Sequence, residues 1–323
     1  MGSISSIVSD LQFARTVLLK SIEGLSKREL TELPIYEKWT IKDVLAHLIG
    51  WDQRVIETLP LLLQNRAGEI PSVEVEEHNR ASVQAWRDKP LAEVRARLES
   101  VHQQILSMIS SLDHIEIDMR RERNGRFVTI RSYVIDIMTE HERRHAAEIE
   151  QWRSQLEQAI DPGAIKAELA QNRTKFLALL EGLSEAAVLD KTAFGAWSIK
   201  DLVGHVVAWE QRILDAAYHI YDPSLPEVPP LDERDDTDTW NEILAAERAA
   251  CSWAEVWRDL HQTRQATDKF IARLKPGDWR LRGPYPWPAD QGTLAELLVN
   301  IAEHDADHWP DLEKWRASSH NSG

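Results

Sequence analysis

Trp39–Arg54 reads WTIKDVLAHLIGWDQR, and Trp197–Arg212 reads WSIKDLVGHVVAWEQR. Eight of sixteen positions are identical, and the others are close exchanges such as Thr/Ser, Asp/Glu and Ala/Gly. The offset of 158 also aligns Arg15-Thr16 with Arg173-Thr174 and Glu23-Gly24-Leu25-Ser26 with Glu181-Gly182-Leu183-Ser184. Further on, Glu140–Arg153 (EHERRHAAEIEQWR) matches Glu303–Arg316 (EHDADHWPDLEKWR) at offset 163, with six of fourteen positions identical. Self-similarity at a fixed spacing marks a repeated structural unit, and the five-residue drift marks small loop insertions. The chain is a tandem duplication, with copies expected at 1–158 and 163–317 and a joint near Asp161-Pro162-Gly163, where Pro and Gly punctuate.

Each copy reads as four helices. Ile4, Ile7, Leu11, Leu18, Ile22 and Leu25 recur at helical spacing, and Gly24 sits near that helix's end. Thr40 with Asp43, repeated by Ser198 with Asp201, is a capping-box-like start for a second helix that runs to about Leu63. A third pattern uses Leu91, Val94, Leu98, Val101, Ile105, Met108 and Leu112; a fourth begins near Thr129 and runs to about Trp152. Thr293 and Glu296 cap its counterpart. Long connections fall at 66–78 and 221–239, and no period-two run signals a strand. The expected fold is all-α: two tandem four-helix bundles.

Composition narrows the function. The 323 residues carry a net charge of −15, with −4 on residues 1–160 and −11 on residues 161–323. That balance argues against a nucleic-acid partner, which needs a basic surface. No run of about 18 apolar residues predicts a membrane span, and residues 1–11 lack a secretory pattern. One cysteine, Cys251, excludes a disulfide framework and a Cys-based zinc cluster; it reads as buried packing, and a reducing cytoplasm is the expected location. A basic cluster, Arg120, Arg121, Arg123 and Arg126, reads either as a solvated loop or as an anion-steering rim.

The twelve histidines separate into two groups. His141 and His145 are four apart and share a helix face; His304 and His308 repeat them. His47 and His205 occupy matching places on the second helix, while the other six histidines have no histidine partner at the repeat offsets. Facing helices of a bundle build metal sites from such inward residues, and three neutral imidazoles leave open positions for water or substrate. The alternative is six hydrogen-bonded core histidines inherited by duplication.

Asp43, His47 and Trp51 are spaced by four, as are Asp201, His205 and Trp209. Each aspartate either caps the helix or orients the histidine's second nitrogen. Trp51 and Trp209 either wall a pocket or belong to the core, and Trp39 and Trp197 staple the loop leading into the helix. Glu140 and Glu303 are candidate bases beside a ligand. Pro310 follows His308 by two residues, where the first copy has Ala147, so the second site is the one open to distortion.

TIKDVLAHLIGW, SIKDLVGHVVAW and the pairs HERRH and HDADH resemble the DinB-like (YfiT-like) superfamily of metal-binding four-helix bundles, across both copies. The resemblance implies a divalent ion such as nickel, zinc or iron at His47, His141 and His145, and again at His205, His304 and His308. It implies thiol-dependent transferases and isomerases, and LIGW at Leu48–Trp51 is similar to the ClbS/DfsB self-resistance branch, some of whose members hydrolyse reactive natural products. It also implies that the bundle pairing usual in family dimers is made within one chain. Three functions compete: a metal-dependent hydrolase or thiol S-transferase acting on an electrophilic small-molecule substrate, a non-catalytic sequestration protein, and a structural helical protein without metal.

Overall fold

The computed structural model describes residues 3–320 except 124, 191, 192, 195, 196 and 233. The chain divides into two compact units, Met1–Leu156 and Glu157–Gly323. The first contains α1 (Ile4–Ser21), α2 (Ile41–Leu63), α3 (Val75–Trp86), α4 (Leu91–Ser110) and α5 (Ile130–Val134), which continues through a π turn at Ile135–Thr139 into α6 (Glu140–Ala159). The second contains α7 (Pro162–Leu180), α8 (Ile199–Tyr221), α9 (Thr237–Ala246), α10 (Trp253–Ile271), α11 (Leu294–Asp307) and α12 (Trp309–His320). Each unit is a four-helix bundle whose long connection carries a further helix (α3 or α9), and short helical turns at Lys27–Thr31, His114–Asp118 and Glu185–Val188 lie in other connections.

The local signals act as their chemistry requires. Thr40 Oγ1 accepts the Asp43 N–H at 3.3 Å and Asp43 Oδ2 accepts the Thr40 N–H at 2.9 Å, fixing the start of α2; Ser198 and Asp201 do the same for α8. Such a cap is worth about 1 kcal/mol. After α1 and α7 the chain turns through Gly24 (φ 77°) and Gly182 (φ 74°), a left-handed conformation in which a Cβ would be strained. Asp161 caps α7, with Pro162 and Gly163 in its first turn.

Each core is split by a buried polar layer. In the first unit Ile7, Leu11, Val55, Leu59 and Ile105 form one apolar cluster, and Leu18, Val44, Leu48, Leu98 and Ile149 form another. Between them in sequence, every long helix contributes one polar residue: Arg15, Asp52, His102 and Glu142, all 3% exposed or less. Arg15 Nη2 donates to Asp52 Oδ2 at 2.9 Å and to Glu142 Oε1 at 2.6 Å, and its Nη1 donates to the Leu98 carbonyl. The second unit repeats the layer with Arg173, Glu210 and Asp305, and places Arg264 where the first has His102.

Three features differ from the sequence expectation. Antiparallel hairpins join Arg121–Arg123 to Arg126–Val128 and Arg282–Pro284 to Gln291–Thr293; three-residue strands are too short to show a period of two. The basic cluster lies on and just before the first hairpin rather than in a loop, with Arg120 and Arg126 exposed and Arg121 buried. Arg121 is 1% exposed and donates to the Glu116 and Met119 carbonyls, while Arg120 stacks on Phe127. Cys251 is half-buried beside the second core rather than fully enclosed, because it lies in the connection before α10.

Candidate metal centre

The sequence separates His47 from His141 by 94 residues, yet α2 and α6 bring their rings together. His47 Nε2 lies 2.9 Å from His141 Nε2, and His141 Nε2 lies 3.0 Å from His145 Nε2. In the second unit the corresponding distances are 2.9 Å for His205–His304 and 3.2 Å for His304–His308. One nitrogen from each ring thus converges on a common point in both copies. Metal–nitrogen bonds of about 2.0–2.1 Å in a tetrahedral arrangement place donors roughly 3.3 Å apart, so the two donor sets fit a divalent ion after slight opening.

Electrostatics prepare the nitrogens. Burial, followed by the neighbouring His141 and His145, holds His47 down to about 3; burial and His145 bring His141 to about 4. Burial lowers His145 too, opposed by Glu148. In the second unit burial takes His205 to about 3 and pushes His304 well below the usual range; His308 is lowered by burial against the pull of Asp307, Asp305 and Asp311. All six rings are neutral at pH 7, the form that binds metals.

A cavity of about 490 Å³ opens over the first triad, with Tyr36, Trp39, Trp51, Asn79, Arg144 and Glu148 among its lining residues. One of about 400 Å³ opens over the second, with Trp209, Trp240, Trp287, Asn241, Glu303 and Asp307. Trp51 and Trp209 therefore stand at cavity walls, each held by an Nε1–H bond to an asparagine: Asn79 at 2.9 Å and Asn241 at 3.0 Å. Helix α3 reaches this position because Gly50 has no side chain; a Cβ there would lie 1.9 Å from Ser82 Oγ. The π turn lines the first cavity with Asp136 and Ile137 immediately before the triad, a common location for such turns.

The orienting role expected of Asp43 and Asp201 is not what their geometry provides. Both carboxylates are spent on the helix caps, while His47 Nδ1 and His205 Nδ1 are buried without a protein partner. The carboxylate that orients a triad ring is Glu148, which the sequence reading missed. Its Oε2 lies 2.9 Å from His145 Nδ1 and accepts the Tyr36 hydroxyl. Its signal was the i+3 spacing after His145, matched by Asp311 after His308. Asn79 and Asn241 were missed because α3 and α9 begin inside the connections expected at 66–78 and 221–239 and carried no helix reading. Glu140 pairs with exposed Arg143 and is not among the first cavity's lining residues, whereas Glu303 lines the second.

Pro310 interrupts the helix without dispersing the second site. Helix α11 ends at Asp307, His308 is its C-terminal cap residue (φ −89°, ψ −7°), and α12 begins at Trp309. The proline removes one backbone donor near the end of the triad, where the chain bends and still presents the His308 ring.

The family comparison agrees with this architecture. The sequence profile of the DinB superfamily matches residues 10–149 and 168–311. The uncharacterized protein YuaE of Bacillus subtilis is 26% identical over 163 residues, covering 45% of this chain and 96% of its own. Among solved structures, a Streptococcus pneumoniae protein (13% identity, TM-score 0.42) covers 48% of this chain and 92% of its own length. DfsB, described as a sibling lethal factor precursor (14% identity, TM-score 0.41), covers 48% and 98%. No described helix is long and apolar enough to cross a membrane. With two matched segments, each carrying one convergent histidine triad, the chain belongs to the DinB superfamily.

Proposed function

We propose that each unit holds one divalent ion at its triad (His47, His141 and His145; His205, His304 and His308) and that the chain is a metal-dependent enzyme for electrophilic small molecules, acting by hydrolysis or thiol transfer. The observation that supports it is the convergence of three neutral imidazole nitrogens at the base of an aromatic-walled cavity, twice in one chain. When bound, such an ion supplies Lewis acidity that makes a water or thiol nucleophilic near neutral pH.

The remaining work falls to side chains. Glu148 accepts the His145 Nδ1–H and fixes which nitrogen faces the cavity. Tyr36 stays protonated, its hydroxyl raised by burial and by Glu148, and donates to that carboxylate, holding it at the cavity wall. Trp39 and Trp51 exclude water from one side of the first triad, and Arg144 offers a cation to an anionic group.

Elemental analysis of untagged protein tests the reading. Two ions per chain are expected, one lost in His145→Ala and the other in His308→Ala, with turnover of an epoxide or thiol-acceptor substrate abolished by EDTA. Zero ions would remove the metal reading; two ions with tight ligand binding but no product by mass spectrometry would leave sequestration.

A further inference from the structure

Position 144 in the first unit and position 307 in the second are equivalent at the offset of 163 that aligns the histidine pairs. The first is Arg144 and the second is Asp307, and both line the cavity over their own triad. The charge at one wall is therefore reversed between copies. Glu303 adds a second carboxylate to the second cavity, and no Lys or Arg is among its lining residues.

Three indoles, whose polar edges are already used, line that cavity together with Ile213, Thr237, Asn241 and Asn300. Trp209 Nε1 donates to Asn241 Oδ1 at 3.0 Å, Trp240 Nε1 to the Asp232 carbonyl at 3.0 Å, and Trp287 Nε1 to Asp290 Oδ2 at 2.9 Å. What they offer a ligand is ring surface. Trp209 and Trp287 stand 6.4 Å apart at 63°, forming a corner rather than a stack. The negative face of an indole attracts cations, and a carboxylate at the rim adds to that field. A volume of about 400 Å³ suits a small molecule, not a peptide or nucleic acid.

We infer that the second site selects small molecules bearing a cationic nitrogen, an amine or quaternary ammonium, seated against Trp209, Trp240 and Trp287 with Asp307 and Glu303 as counter-charges. This deepens the reading of the second cavity as a small-molecule site. The first site sets Arg144 at the equivalent wall against Asp136 and against Glu148, which His145 and Tyr36 already engage, so its preference for a cation is the weaker of the two. The two copies have diverged in the charge of what they hold while keeping the same triad.

Calorimetry with benzyltrimethylammonium, benzyl alcohol and benzoate on the full chain tests the inference. The quaternary ion has no lone pair to ligate a metal, so in metal-free protein its binding reports the aromatic and acidic walls, and the same titration on metal-loaded protein adds only the repulsion of the ion at the triad. One equivalent is expected, at least about tenfold tighter than benzyl alcohol, with benzoate weaker still. Asp307→Arg, which installs the residue of the first copy, should abolish the preference; Asp307→Asn should weaken it should the arginine variant fold poorly. Equal affinity for the cation and the alcohol, or a preference that survives both substitutions, would overturn the inference. Elemental analysis of the same samples keeps the two readings apart: cation preference without metal removes only the metal reading, and two ions without cation preference remove only this one.

Discussion

Arg15 Nη2 lies 2.6 Å from Glu142 Oε1 with both side chains almost fully enclosed, and Glu142 is the residue between His141 and the rest of the triad helix. The ion pair ties α1 to the turn of α6 that carries His141 and His145. Arg173 and Asp305 make the same tie at 2.8 Å beside His304. The polar layer thus lies next to the triad histidines along the chain in both units and ties the histidine helix to the rest of the bundle.

Removing one member of the layer leaves its partner charged and buried. Glu142→Ala is expected to destabilise the first unit by about 3–5 kcal/mol, the usual cost of breaking a buried pair from one side. Because the pair positions the His141 turn, metal binding at the first triad should weaken while the second triad is unaffected. Denaturant melts and two-site metal titration of the variant check both halves of this statement.

The layers of the two units keep one arginine, exchange aspartate and glutamate at two positions, and differ in kind at the fourth, His102 against Arg264. Arg264 donates to Glu210 Oε1 at 2.8 Å and to Asp305 Oδ2 at 2.9 Å, so the second unit pairs two guanidinium groups with two carboxylates. His102 stands in that place in the first unit, held neutral by burial and then by Arg15, with both ring nitrogens and Glu142 Oε2 buried without a partner. An unpartnered buried polar group costs about 1–3 kcal/mol. His102→Arg should therefore raise the melting temperature, and Arg264→His should lower it; opposite signs in paired thermal melts are the expected result.

How far the sequence carried this picture can be argued from single residues. His47, His141 and His145 were legible because duplication wrote them twice at near-constant offsets, and a shared helix face follows from a spacing of four. The same comparison contained Arg15/Arg173, Asp52/Glu210 and Glu142/Asp305, but a salt-bridge layer has no spacing rule, since its members come from different helices. Asp43 illustrates competition: a cap and an orienting contact need the same carboxylate, and the helix start takes it. The π turn has no sequence signature at all, being a choice of backbone hydrogen bond rather than of side chain.

Acid should reach the first triad late. An unperturbed histidine takes up a proton near 6.5, whereas His47 and His141 are held at about 3 and about 4. A lowered value means the neutral, ligating form persists as pH falls, so protons compete with a metal only near those lower values. Affinity measured by competition with a chelator of known pH behaviour should hold through 6.5, where unperturbed histidines would already protonate, and fall only at lower pH. Linkage has a matching consequence for the metal-free protein. Between 6.5 and about 4 the unfolded chain binds protons that the folded triad refuses, so the contribution of these rings to stability falls as pH is lowered through that window.

Glu148 gives the sharpest test of the first site, because its role and its control are in the same chain. Its carboxylate accepts from His145 Nδ1 at 2.9 Å, which leaves Nε2 with its lone pair toward the cavity and makes the ring a stronger ligand. Glu148→Gln keeps an acceptor but removes the charge, and Glu148→Ala removes both. Losses of such partners typically cost about 10–100-fold in metal affinity; alanine is expected toward the upper end and glutamine toward the lower. Tyr36→Phe, which deletes only the hydroxyl that donates to Glu148, should cost less than either. The second triad, with Asp311 in the corresponding place, should titrate unchanged in all three variants. A first-site affinity that does not move in Glu148→Ala would mean that the His145 ring is set by packing against Tyr36 and His141 alone.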